Sequence, residues 1–145
     1  MSFDIMAAGP EYRAALSVLL QQTGLHHEDL PVDTAHFLIA LDDEGKVIGS
    51  AGWELYGPTG LFRSFAVAPE HRKGGLGQRL YQAAMDHARS QGIREAWLIT
   101  ISAADYFSKR GFERVDRASA PHPIQHTVQF SELCPASAVL MKRSL

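Results

Sequence analysis

Apolar and polar positions along the chain switch between a rhythm near 3.6 residues and one near 2, and each switch marks an element. Phe3 to Met6 predicts a strand. Gly9 and Pro10, the latter suited to a first helical turn, then lead into Tyr12, Ala15, Leu16, Leu19 and Leu20 at helical spacing, and Gly24 stops that helix. Leu25 to Thr34 holds two histidines, three acidic residues and Pro31, which reads as loop or a short irregular helix. His36 to Leu41 is a compact apolar run, Asp42 to Gly45 is turn chemistry and Lys46 to Tyr56 resumes the run, so an antiparallel hairpin is expected. Gly57 to Gly60 makes another turn, and Leu61 to Val67 a third strand.

In the second half, Leu76, Leu80, Ala83, Ala84, His87 and Ala88 line one face of a helix that Gly92 ends. Ala96 to Ile101 is continuously apolar, as a strand buried on both faces would be. Ala103 to Arg110 predicts a short helix closed by Gly111, and Phe112 to Val115 a strand. Ala120 to Pro123 reads as a break, Ile124 to Leu133 as a last helix and Ser137 to Met141 as a last strand. The order predicts an α+β fold, layered α/β/α around a mixed sheet, as a single domain over residues 1–145, with a right-handed crossover around residues 61 to 101.

Composition narrows the chemistry. The 145 residues, 46% hydrophobic and 21% charged, are ordinary for one globular domain. Lys+Arg number 14 against 16 Asp+Glu, a net charge of −2, so no global basic field holds nucleic acid by its phosphates. The one cysteine, Cys134, allows neither an intramolecular disulfide nor a multi-cysteine zinc site and suits a reducing compartment, so the cytoplasm is expected. Met1 to Met6 contains Asp4 and no basic leader, and no apolar run approaches the roughly 18 residues of a membrane span. Export and membrane binding are therefore not expected.

Gly74, Gly75 and Gly77 crowd beside Arg72 and Lys73, between a strand and a helix. A helix start has backbone N–H groups without intrahelical acceptors and a positive dipole end, and glycines let an anion approach them. The alternative is a tight turn with two solvated basic residues. A P-loop needs Gly, four residues, then Gly-Lys-Ser/Thr, and no such string is present. The dinucleotide fingerprint needs Gly-x-Gly-x-x-Gly after a first parallel strand, and Gly74-Gly75-x-Gly77 after a meander is not that.

Arg72-x-x-Gly75-x-Gly77, preceded by Phe65-Ala-Val-Ala-Pro69 and followed by a helix, resembles the acetyl-CoA pyrophosphate loop of the GNAT superfamily of N-acetyltransferases. The apolar strand, short helix and Gly111-Phe112 pair resemble that superfamily's second half. The resemblance implies a mostly antiparallel central sheet whose strands 61 to 67 and 95 to 101 splay apart. It implies that the backbone of Phe65, Ala66 and Val67 pairs with the pantetheine arm of acetyl-CoA. The amides of Arg72, Lys73, Gly74, Gly75, Leu76, Gly77 and Gln78 would hold the pyrophosphate. An N–H near Ala66 or Val67 would polarise the thioester carbonyl, and a deprotonated amine of a small molecule would attack directly. More narrowly, Arg63 to Pro69 and the tail Gln129 to Met141 resemble acetyltransferases associated with bacterial arsenic-resistance genes, which implies an amino acid or a toxic amino-acid analogue as acceptor.

The sequence departs from that pattern at the general acid. The family's tyrosine, five residues before the Phe of Gly-Phe, is Phe107 here; Tyr106 is the neighbouring candidate, or else a core aromatic. The asparagine often found seven residues earlier is Thr100, whose hydroxyl also forms hydrogen bonds. Glu54 is either a general base or a residue on a wet sheet face. Arg63 is either a bidentate ligand for an acceptor carboxylate or a solvated edge residue, and strand alternation sends Arg63 and Ser64 to opposite faces. His26 and His27 precede two acids, and His122 and His126 lie four apart; without a companion carboxylate they read as surface histidines, and no metal is expected. Cys134 reads as buried and inert more readily than as a nucleophile. A non-catalytic acyl-CoA-binding module is the alternative that Phe107 leaves open, and a homodimer is the default for a small enzyme with an exposed sheet edge.

Overall fold

The computed structural model describes residues 3–25, 27–31, 34–127, 130 and 138–145. Its strands are β1 (Asp4–Ala7), β2 (Phe37–Leu41), β3 (Val47–Tyr56), β4 (Thr59–Val67), β5 (Glu95–Thr100), β6 (Glu113–Val115) and β7 (Val139–Ser144). Its helices are α1 (Arg13–Gln22), α2 (Leu76–Ser90), α3 (Ala104–Ser108) and α4 (His122–Gln125). Among the described residues the strands form a mixed seven-stranded sheet in the order β1-β2-β3-β4-β5-β7-β6 with flanking helices, the α+β class read from the sequence. The chain divides into two compact units, Met1–Trp53 with Ser64–Ser90, and Glu54–Arg63 with Gln91–Leu145.

In the first unit β2 pairs antiparallel with β1 and with β3, and all five of its residues are buried. The β2–β3 turn is held by Asp42, whose Oδ1 accepts the N–H groups of Lys46 and Glu44 at 2.9 Å each. Those bonds, the Lys46 bond most of all, keep its carboxyl below the usual carboxylate range. α2 buries Leu76, Leu80, Tyr81, Ala84, Met85 and Ala88 and packs on β2. Close approach is bought by glycine: a Cβ on Gly49 would stand 2.7 Å from Leu80 Cδ1. A second close packing puts the Phe37 ring over Gly52, where a Cβ would collide with Cδ2.

The same unit joins two histidines that the sequence reading did not pair. His36 stacks on the buried Trp53 ring at 4.1 Å between centroids, and its Nδ1 lies 3.3 Å from His87 Nε2. Burial first, then the charge of His36, holds the His87 imidazole below the usual histidine range.

In the second unit β4 runs parallel to β5 through four pairs, from Thr59–Glu95 to Phe62–Leu98. β5 pairs antiparallel with β7, and β7 with β6. Leu61, Trp97, Ala120, Ile124 and Leu140 form the core, with Tyr56, Ile99, Val115 and Phe130 packed against it.

Three expectations are corrected here. β4 starts at Thr59, so the turn before it shrinks to Gly57-Pro58. The apolar run from Ala96 to Ile101 is buried only through Leu98, where the parallel pairing ends, and Ile101 is 61% exposed. The break expected at Ala120 to Pro123 gives way to α4, which begins at His122 with Pro123 in its first turn, a place proline tolerates; of the helix expected from Ile124 to Leu133, residues 128, 129 and 131–133 lie outside the described residues. Thr127 then bonds back to the Ile124 carbonyl through both its N–H and its hydroxyl, which closes α4. The tail from Ser131 to Ser137, with Cys134, and His26 lie outside the described residues.

The folded chain prefers a neutral His87, so its contribution to stability is present above the unfolded histidine pKa of about 6.5 and is lost as pH falls below it. Thermal melts from pH 7.5 to 5 are expected to show a steeper fall in Tm for wild type than for His87→Gln. Parallel curves would contradict this.

Candidate active site

β4 leads along the chain, through the turn after it, to the start of α2. Ser64 has φ 61°, the one non-glycine residue in the left-handed region among those described. That conformation costs an L-residue about 1–2 kcal/mol and interrupts the alternation of side chains. The expectation that Arg63 and Ser64 face opposite ways rested on a regular strand, and both are buried. The kink is held in the first unit: Ser50 Oγ donates to the Ser64 carbonyl at 2.7 Å, and the Ala68 N–H donates to the Ile48 carbonyl at 2.8 Å.

Beyond the kink, Phe65 and Val67 are half-buried; the Phe65 ring meets Tyr81, and Val67 lies against the position of Gly77. Residues 72–75 form the turn into α2, whose first intrahelical bond runs from Arg79 N–H to the Gly75 carbonyl at 3.2 Å. The three glycines differ in what the chain demands of them. Gly75 has φ +79° and needs glycine for its conformation, whereas a Cβ on Gly74 would meet nothing within 4 Å, and one on Gly77 only Val67 Cγ2 at 3.6 Å. The open space at Gly74 is what an anion approaching the amides needs. Arg72 turns its Nε back onto the Val67 carbonyl at 3.0 Å and ties the loop to the end of β4.

The second unit pairs two residues that the sequence reading treated separately. Glu54 Oε2 accepts from Arg63 Nη1 at 2.8 Å, and its Oε1 accepts from the Tyr56 hydroxyl at 2.6 Å. Arg63 is thus neither solvated nor at an open edge. Glu54 is not on a wet face with both oxygens idle. Counting outward from the two-residue turn places Leu61 opposite Glu54 and Arg63 two residues on, on the same face; the pairing was therefore accessible from the hairpin.

Tyr106 is 36% exposed, which corrects the core-aromatic alternative. Arg110 stacks over its ring at 3.5 Å and donates to its carbonyl. Phe107 is the core aromatic, packed against Phe112. Thr100 Oγ1 accepts the Ala103 N–H at 3.0 Å and fixes the entry to α3. His122 and His126 contact each other at 3.1 Å between Nε2 atoms, and both are exposed. Among the described residues no group of three or more His, Cys, Asp or Glu is placed to hold a metal ion, and no helix is long and apolar enough to cross a membrane.

The family model described as acetyltransferase (GNAT) family matches residues 7–114, and the chain belongs to that family. It is 35% identical over 77 residues to an amino-acid acetyltransferase from Pseudomonas fluorescens, covering 50% of this chain and 17% of that protein. It is 28% identical over 117 residues to an amino-acid acetyltransferase from Neisseria meningitidis, covering 77% of this chain and 27% of that protein. The chain thus spans only a small part of these relatives. Among solved structures, N-acetylglutamate synthase from Neisseria gonorrhoeae, complexed with coenzyme A and N-acetyl-glutamate, superposes with TM-score 0.80 at 25% identity. That match covers 100% of this chain and 35% of the synthase. A GNAT-family acetyltransferase from Staphylococcus aureus shares the fold at full length, with TM-score 0.76, 17% identity and 99% of each chain covered.

Gly75→Ala is expected to destabilise the chain by about 1–2 kcal/mol because alanine resists the left-handed region. Gly74→Ala should leave stability within about 0.5 kcal/mol or raise it slightly. Urea denaturation midpoints check the contrast, and equal losses at both positions would contradict it.

Proposed function

We propose that this chain is an acetyl-CoA-dependent N-acetyltransferase whose acceptor is the primary amine of an amino acid or amino-acid analogue. Family membership supports the reaction class, and the names of the partial relatives support the acceptor class. The observation that carries the reading is the sequence of a kinked β4, a left-handed Gly75 and open space at Gly74, leading into a 15-residue helix. These residues fit a pyrophosphate in shape: there is room at Gly74, amides at a helix start, and Arg72 and Lys73 beside them.

Acetyl-CoA, when bound, supplies an acyl thioester. The backbone of Phe65, Ala66 and Val67 receives the pantetheine arm, and the amides of Arg72, Lys73, Gly74, Gly75, Leu76, Gly77 and Gln78 hold the pyrophosphate. An N–H of Ala66 or Val67 polarises the thioester carbonyl, the fixed dipole that acyl transfer needs. The acceptor amine must lose a proton before it attacks. Tyr106, 36% exposed, is the candidate to return a proton to the departing sulfur. The resemblance of Arg63 to Pro69 to the arsenic-resistance group makes phosphinic and arsenic-containing amino acids natural acceptors to test. One observation favours the non-catalytic alternative: Phe107 offers no hydroxyl and is buried against Phe112.

Coenzyme A release should exceed background hydrolysis with at least one amino acid or analogue in a screen that includes polyamines and aminoglycosides. In the same protein, Gly74→Val is expected to raise the acetyl-CoA Kd roughly tenfold or more by calorimetry while Tm holds. Acetyl-CoA binding with background turnover for every amine would leave the binding-module reading in its place. Unchanged affinity in Gly74→Val would remove the loop from the cofactor site.

A further inference from the structure

Arg63 holds a guanidinium whose side chain is 3% exposed, and its counter-ion Glu54 is 18% exposed. Taking such a pair out of water is costly, and apolar residues of similar volume often serve stability as well. Stability alone therefore gives no reason for an arginine here. The carboxylate is fixed at both oxygens, by Arg63 at 2.8 Å and by Tyr56 at 2.6 Å. Arg63 is also the residue directly before Ser64, where β4 turns through φ 61°. A guanidinium so enclosed is badly placed to present a two-pronged fork to an acceptor carboxylate. It is well placed to fix the backbone on which it sits.

We infer that Glu54 and Tyr56 hold Arg63 as a positioning residue that sets the turn of β4 at Ser64 and so aims the backbone N–H groups of Phe65 to Val67. This rests on the acetyltransferase reading above, and it moves Glu54 and Arg63 from acceptor chemistry to the geometry of the acyl-binding strand. With Nη1 tied to Glu54 at 2.8 Å and its side chain enclosed, Arg63 restricts the backbone that enters the kink at the next residue. Within the first unit, Ser50 Oγ donates to the Ser64 carbonyl.

The test compares an amino acid that wild type accetylates with the amine that lacks only its carboxylate. Arg63→Lys keeps the charge and loses the fork. It is expected to lower kcat/KM roughly tenfold for both acceptors alike, and to weaken acetyl-CoA binding, at a temperature where circular dichroism shows the native fold. Tyr56→Phe should act in the same direction more weakly, and Glu54→Gln, which keeps an oxygen for the guanidinium, should fall between wild type and Glu54→Ala. A rise in KM for the amino acid alone, with the amine and acetyl-CoA handled as in wild type, would overturn the inference and make Arg63 an acceptor ligand. So would a loss of kcat in Glu54→Gln with acetyl-CoA affinity unchanged and the acidic limb of the pH profile gone, which is the mark of a general base. If wild type turns over neither acceptor, the acetyltransferase reading fails. The acetyl-CoA Kd then decides the positioning role by itself: weakened in Arg63→Lys it stands, unchanged it falls.

Discussion

The candidate chemistry depends on one backbone event, the left-handed turn at Ser64 inside β4. A serine there is strained by about 1–2 kcal/mol, and a strand without it would continue its pleat. Such strain persists only where neighbours over-determine it. Ser50 contributes a buried hydrogen bond to the Ser64 carbonyl, and Arg63, bonded to Glu54, is anchored one residue earlier. The parallel register with β5 ends at Phe62, two residues before the turn, while β4 continues to Val67. The strained residue thus sits just beyond the stretch of β4 in register with β5, in the part that leads along the chain to the glycine turn.

The glycine turn meets a different constraint. With a net charge of −2 the protein has no general attraction for an anion, so attraction has to be local. Arg72 and Lys73 supply formal charge, α2 supplies its N-terminal dipole, and Gly74 keeps the approach open. Arg72 does a second thing by bonding to the Val67 carbonyl, so the loop and the end of β4 share one anchor. Gly49 lets Leu80 of α2 sit close to β3, which fixes the helix that carries the loop.

Much of this was legible in the letters. The hydrophobic rhythm placed α1, α2 and the β2–β3 hairpin within a residue or two, because each has a complete periodic face and a glycine or turn to end it. The glycine cluster located the loop because glycine type reports backbone demands directly. What could not be read was long-range. Ser64 carries no letter-level sign of a positive φ, since serine is at home in strands and turns alike. The His36–Trp53–His87 contact joins residues 51 apart and has no local pattern. Tyr106 and Phe107 were ambiguous because adjacent helical residues differ by about 100° in direction, and only packing on Phe112 shows which one faces the core. Pro123 reads as a breaker by residue type, yet it sits in the first turn of α4, where no N–H is asked of it.

If the kinked end of β4 and the glycine turn together form the coenzyme site, backbone amide chemical shifts followed by NMR during titration with coenzyme A will show it. The largest changes are expected at Phe65, Ala66 and Val67 and across Arg72 to Gln78, saturating with one affinity. Saturable binding whose shifts lie elsewhere, with these two segments unmoved, would contradict it.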